Sequence, residues 1–492
     1  VIARLRARWR AAGRAGDLAL LGLIYLVSRA LAWQAGVAFH LDTLNTAWQL
    51  LDPEVLRHDL LAGVLHMPGQ PPLYNLAIGA LLKLGDALAV GPVGLTWIFR
   101  VFYGALALVA IALSHDLLHR ARVEQRTALI VMAIFICSPA FVLYEAMPYY
   151  TLMVLAWLVL IACCLDRCLA RPGYGRGLLL FLAMTGLIYT RSLFQIEWFI
   201  VLAVFVILAS PGARRRVGLA ALVPLVLILA LYAKNVVLVG QFSTSDWLGL
   251  SLAKMTTLKL SPQTRETLIR QGRLSPLARD DRAYGLRAAD IDVLGGPPQT
   301  GSPVLDTLYK STGAVNYNYA RFAQRADIAT RDALATIRAH PGIFARSVGT
   351  AWLMFFRPAS DYPLLGENRT HLAPWNRLYG KLIAGQPIYP QTATFALRIG
   401  HVGWFIMAGY LLAVGFGALV AIRCLRERHL SQGDALLLFC WLNVLYVSVV
   451  GNAFEIDENQ RFRFAIEPFI AVLALRGLQA IAMRLRHRPS PS

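Results

Sequence analysis

Residues 17–39 read Asp17-Leu-Ala-Leu-Leu-Gly-Leu-Ile-Tyr-Leu-Val-Ser-Arg-Ala-Leu-Ala-Trp-Gln-Ala-Gly-Val-Ala-Phe39, directly after an arginine-rich start at 4–14. About 20 mostly apolar residues make a helix long enough to cross a bilayer core, and this stretch qualifies. It runs on too far for a cleavable signal and no small-residue cleavage site follows, so a first membrane anchor is expected. The remaining chain repeats the pattern. Of 492 residues, 57% are hydrophobic and 15% charged, where soluble domains carry about a quarter charged residues. A string of soluble domains is thereby excluded. Disorder is excluded too, because disordered chains are poor in apolar residues. The expected class is an all-α polytopic membrane protein.

Candidate spans are 17–39, 94–114, 127–146, 149–168, 177–190, 193–210, 217–239, 397–422, 433–452 and 463–483. Each should be helical, since backbone groups in lipid must bond within the segment. Short arginine-rich stretches stay on the cytoplasmic side. Six of them, 4–14, 120–126, 167–176, 214–216, 423–428 and 484–488, fix the parity of the crossings. Ten crossings result, with both ends cytoplasmic. The further apolar stretches 72–90 and 342–356 must then stay on the outer side, the first as a surface helix. The outer segments are 40–93, 145–148, 190–192, 240–396 and 453–462. Most of the formal net charge of +20 sits in the cytoplasmic stretches, so it is a topology signal and no nucleic-acid partner is implied. Three parts are expected: a transmembrane catalytic module at 1–239 with its first outer loop at 40–93, an extracytoplasmic region at 240–396, and C-terminal membrane helices at 397–492. The middle region is too long for a structureless loop. It should form a small subdomain, with an amphipathic helix from about Tyr319 to His340 ended by Pro341.

Charge near a membrane is costly and usually marks function. The first outer loop carries Asp42 directly after the first span. A carboxylate there can serve as general base toward a hydroxyl or amine. The same loop holds His66, Gln70 and Tyr74 around Pro71-Pro72, and Asp52 and Glu54 in a turn around Pro53. Glu145 lies in the second outer turn before Pro148, Tyr149 and Tyr150. Asp42 and Glu145 fall at one predicted depth, where two carboxylates can share a metal or divide acid and base roles. Arg100, Arg191, Arg461 and Arg463 fall at that depth as well, and the planar guanidinium suits a phosphate. Lys234 reads equally well as a snorkelling side chain. The six cysteines lie in or beside apolar runs without a C-x-x-C pair, which suits buried small side chains and no zinc site. No phosphate-binding Gly-x-x-x-x-Gly-Lys loop, dinucleotide fingerprint, H-E-x-x-H or G-x-S-x-G is present.

The order of these features resembles the GT-C glycosyltransferases. It is closest to the bacterial members related to protein O-mannosyltransferases and the lipid A aminoarabinose transferase, a family 39-like group. The resemblance rests on Asp42 after the first span, Gln70-Pro71-Pro72-Leu73-Tyr74, Arg100, Glu145-Ala-Met-Pro148-Tyr, Thr190-Arg191-Ser192 and the approach from Arg461 to Pro468. It covers 17–240 and, more loosely, the last 60 residues, but not 240–396. It implies the GT-C fold and a polyprenyl-phosphate-linked sugar donor, with transfer to a glycan, lipid or protein acceptor. The site would face outward from the inner (cytoplasmic) membrane, among membrane lipids. Asp42 would be the base, and Glu145 would help bind donor or a divalent cation such as Mg, Mn or Zn. Arg191, Arg100, Arg461 and Arg463 would hold the lipid phosphate, and His66, Gln70, Tyr74 and Tyr149 would line the substrate cavity. The competing reading is a transporter or flippase that carries a lipid-linked saccharide without bond formation.

Overall fold

Apolar length decides which segments can cross a bilayer, and in the computed structural model seven helices have it. They are Gly13–Gln34, Pro92–Arg120, Thr151–Ala170, Arg214–Val239, Trp404–Glu427, Gln432–Phe454 and Asn459–Leu485. The chain is thus an α-helical, multi-pass membrane protein by length and composition. Residues 2–391 and 397–486 are described, with side chains over 13–391 and 397–485. The basic side chains of 4–10 and the end of the 484–488 stretch therefore lie outside the described residues. No strand occurs among the described residues, only an isolated antiparallel bridge between Tyr309 and Val315.

Three of the ten expected spans take another form. The 127–146 segment is two helices, Gln125–Ile136 and Pro139–Glu145, bent by 56°. Ser138 causes the break: its hydroxyl accepts from the Phe141 amide, and Pro139 follows at the first helical position, where its missing N–H costs nothing. The other two, Tyr174–Ile188 and Ile196–Leu208, have 15 and 13 residues, short of the about 20 a straight span needs. Counting the bent pair as one span gives up to eight. The stretch expected from 397 starts its helix only at Trp404, after a 3-10 turn at Ile399–His401. Pro72–Ala87 and Pro341–Phe355 are helices of 16 and 15 residues, and neither reaches span length.

Thr151–Ala170 forms the centre of the bundle. Most of it is buried, whereas Gly13–Gln34 and Trp404–Glu427 keep most of their surface outside the protein. Small side chains at Ala162, Cys163 and Cys164 let neighbouring helices approach closely. Cys163, Cys164, Cys168 and Cys440 are buried, Cys137 and Cys424 partly so, and all six are free.

The 240–391 region is largely helical. Its longest helix, Ala320–Ala339, buries Phe322, Ala326 and Ala333 and gives way at His340 to the helix that Pro341 opens. The region is tied to the first loop by hydrogen bonds. Lys310 donates to the Ala47 carbonyl at 2.9 Å, Ser311 donates to Asp52 through both its amide and its hydroxyl, and Ser245 donates to the Gly69 carbonyl at 2.6 Å. Asn368 bonds both the amide and the carbonyl of Ala38. Farther along, Arg369 donates to Asp361 at 2.7 Å with both side chains essentially buried. Gln386 donates to the other Asp361 oxygen, and the Tyr389 ring covers the guanidinium. Asp361→Ala leaves a buried guanidinium without its carboxylate and is expected to cost about 3–5 kcal/mol. Thermal unfolding of the detergent-solubilised protein measures it.

Candidate functional site

Only four residues, Glu455-Ile456-Asp457-Glu458, join the helices Gln432–Phe454 and Asn459–Leu485. The turn is tight, with Asp457 at φ 93°. It carries three carboxylates to one end of the bundle, and two of them, Glu455 and Glu458, line a cavity of about 530 Å³. The first loop contributes Trp48, Gln49 and Gln70. The link between the two short apolar helices contributes Arg191, Ser192 and Gln195, and the region after residue 240 adds Trp247, Ser251, Lys254 and Tyr284.

Of the two cations in this wall, Arg191 is the less committed. Its guanidinium lies over the Tyr150 ring at 4.5 Å and the Phe462 ring at 5.2 Å. The nearest carboxylate oxygen, on Glu458, is 4.0 Å away. That is beyond hydrogen-bond reach, and no hydrogen bond from this guanidinium occurs among the described residues. The side chain is 12% exposed. Burial, with the Arg461 charge adding to it, brings its pKa down to about 10 against the pull of Glu458, so it remains a cation at neutral pH. Aromatic faces hold it without consuming its donors.

Glu458 is the opposite case. It pairs with Arg461 and accepts from the Tyr362 hydroxyl at 2.9 Å. Burial pushes its pKa up, but Arg461, Arg191 and Lys254 outweigh burial and bring it down to about 2. The folded protein therefore prefers the ionised form. The stability this contributes is complete above about 4.5 and is lost as the pH falls toward about 2. Acid titration followed by thermal unfolding should show that decline, and Glu458→Gln should flatten it.

Glu455 pairs with Lys254 and accepts from the Ser251 hydroxyl at 2.7 Å. Burial raises its pKa; Lys254 opposes the rise and Glu458 reinforces it. Burial alone would lower the Lys254 pKa, yet Glu455, Tyr284 and Asp457 together raise it. Lys254 also donates to the Ile456 carbonyl at 3.0 Å. Above these charges stand aromatic rings: Tyr284 packs against Trp48 at 5.2 Å and edge-on to Trp247 at 5.6 Å. At the margin, Phe242, Leu248 and Phe454 line the cavity and are exposed, an apolar lip beside the charged and aromatic side chains.

The residues singled out from sequence divide into three groups. Gln70 and Arg191 line the cavity. Tyr149, Tyr74 and Arg461 lie just beneath it. Tyr149 accepts from the cavity residue Gln49 at 2.9 Å, Tyr74 sits edge-on to Tyr150, and Arg461 donates to the Tyr150 hydroxyl and packs over Tyr149 and Tyr362. The rest lie elsewhere. Asp42 is exposed, with no side-chain cap on its helix, and is not part of the cavity wall. Arg100 packs over Trp33 and Trp97, and His66 turns back to the Ala62 carbonyl. Arg463 is consumed by the carbonyls of Phe355 and Arg357 and by Glu467. Lys234 donates to the Met67 carbonyl.

Glu145 is held by Tyr25 at 2.6 Å and by Arg29 at 2.8 and 2.7 Å. Both its oxygens are occupied, one by a guanidinium, so this donor set does not suit the divalent cation expected there. Among the described residues it belongs to no group of converging metal-ligand atoms. These contacts fasten the first span to the bent pair. Glu145→Ala is expected to cost about 3 kcal/mol of stability, which thermal unfolding of the detergent-solubilised protein measures.

Lys254, Trp247, Tyr284, Glu455 and Glu458 escaped the sequence reading. The acids had a signal, three carboxylates in four residues between two spans; the aromatic residues and Lys254 had none. No protein-family model, curated protein or solved structure matches the chain.

Proposed function

We propose that the chain is a GT-C type glycosyltransferase of the extracytoplasmic membrane face, moving a sugar from a polyprenyl-phosphate donor to an acceptor. The observation that carries this reading is Arg191, a cation set by aromatic faces at the wall of an aromatic cavity, with its N–H donors unspent. Arg191 holds the donor phosphate, and Lys254, paired with Glu455, adds positive charge beside it. Trp48, Trp247 and Tyr284 stack on the sugar, while Gln49, Gln70 and Gln195 reach its hydroxyls. The exposed lip of Phe242, Leu248 and Phe454 accommodates the start of the lipid chain.

Asp42 lies outside this cavity, so the base role passes to Glu455. Its carboxylate takes the acceptor hydroxyl proton, and the acceptor oxygen forms a bond to the anomeric carbon. The bond from that carbon to the phosphate oxygen breaks, and polyprenyl phosphate departs with the electron pair. A phosphate leaving group is already anionic, so fixed positive charge does more than acid catalysis would. Burial raises the Glu455 carboxyl pKa, so it holds an accepted proton more readily than an ordinary carboxylate. Glu458 and Arg461 position Arg191 from below. The test is incubation of the purified protein with radiolabelled polyprenyl-phosphate sugar and a membrane acceptor extract. A labelled product that depends on Arg191 supports transfer; movement of donor across vesicles without product supports the flippase reading instead.

A further inference from the structure

The end of the bundle remote from that cavity carries a second constellation. Asp17 stands in the first turns of the first span, and His115 and His119 stand four residues apart near the end of Pro92–Arg120, on one helix face. Their ligand atoms converge. The His115 and His119 Nε2 atoms are 3.1 Å apart, and the Asp17 Oδ2 atom lies 3.5 Å from the first and 3.6 Å from the second. The Asp17 and His115 side chains are buried, and His119 is partly open.

We infer that Asp17, His115 and His119 bind a divalent transition-metal ion of the zinc type, which fastens the first two spans together. The geometry argues for it in three ways. A tetrahedral zinc with bonds of about 2.0–2.1 Å has ligand-to-ligand edges of about 3.3 Å, whereas octahedral edges at that bond length are about 2.9 Å; the observed triangle matches the tetrahedron better. Hydrogen bonding does not join the carboxylate to the imidazoles. The 3.1 Å contact uses one imidazole as donor and the other as acceptor, and the contacts of 3.5 and 3.6 Å leave Asp17 beyond good bonding distance of either. A shared cation serves all three. Lastly, the nearby arginines are engaged elsewhere: Arg14 with Asp116, and Arg120 with Asp116 and Asp166. Among the described residues Asp17 pairs with no arginine or lysine. Its firm contacts are two 2.9 Å bonds from the Gln125 amide, which orient the carboxylate as an outer partner orients a metal ligand.

An open depression lined by Gly13, Arg14, Asp17, His119, Arg120 and Gln125 gives an entry path and room for water in the fourth position, and both arginines facing it are held by Asp116. The site does not depend on the transferase reading, because its ligands lie in a different part of the chain from the cavity.

The full-length protein in detergent is stripped with chelator, dialysed against zinc sulfate and analysed for bound metal. The expected result is about one zinc per wild-type chain, with binding reduced at least tenfold in His119→Gln and in Asp17→Asn. Both variants are checked for monodispersity. Cobalt loaded into the wild-type chain should show the strong visible absorption of a four-coordinate site, a readout independent of any variant. Background zinc in the wild type, a six-coordinate cobalt spectrum, or undiminished binding in well-folded His119→Gln would each overturn the assignment.

Discussion

Arg191→Ala should lower sugar transfer by about 10²–10³-fold, the loss that follows removal of one fixed donor facing charge that grows in a transition state. The expectation rests on how the side chain is held. Tyr150 and Phe462 fix the guanidinium plane from its faces, and Glu458 stays 4.0 Å away, so its N–H groups are free for a phosphate. Arg191→Lys keeps the charge but not the fork and should recover only a small part. Because Arg191 is expected to act chiefly as charge builds on the leaving phosphate, the loss should fall on kcat more than on KM. Initial rates with a labelled polyprenyl-phosphate sugar, compared at matched protein stability, measure the effect. An Arg191→Ala variant that folds and retains full rate removes the phosphate role.

Glu455→Gln is the second large effect, a loss of about 10²–10⁴-fold if the carboxylate takes the acceptor proton. The amide keeps the volume and can still accept from Ser251, but it cannot hold a proton as a base does. The wild-type rate should rise with pH through the Glu455 titration, which burial has moved above the ordinary carboxylate range. In Glu455→Gln that rise should vanish. Losing the ion pair with Lys254 affects folding as well, so the pH profile separates the chemical role from a structural one. A rise that persists unchanged in the variant assigns the base elsewhere, with exposed Asp42 as the first alternative.

How much of this was legible in the sequence follows from what each feature depends on. The membrane class rests on local apolar length, which the apolar windows of the chain display, and each of the ten apolar segments contains α-helix. Hydropathy does not see a break such as Ser138-Pro139, because both flanks stay apolar; the capping hydroxyl and the proline are what split that segment. Nor does it measure how short the helices Tyr174–Ile188 and Ile196–Leu208 are. At the site, Arg191 stood out because an arginine between two apolar segments is conspicuous. Asp42 and Glu145 were equally conspicuous, yet sequence position cannot show that one faces solvent while the other is spent on Tyr25 and Arg29. Trp247, Lys254 and Tyr284 belong to a region without membrane periodicity and meet Glu455 across about 200 residues of chain. Only tertiary structure brings them together.

The central claim is that this cavity transfers a sugar from a lipid phosphate. Purified wild-type protein and Arg191→Ala, reconstituted in vesicles with a doubly labelled polyprenyl-phosphate sugar and an acceptor extract, test it in one measurement. The account predicts that label leaves the lipid and enters an acceptor as free polyprenyl phosphate accumulates one for one, with both signals lost in Arg191→Ala. Intact donor recovered in full from active wild-type vesicles, whichever leaflet it occupies, would contradict it.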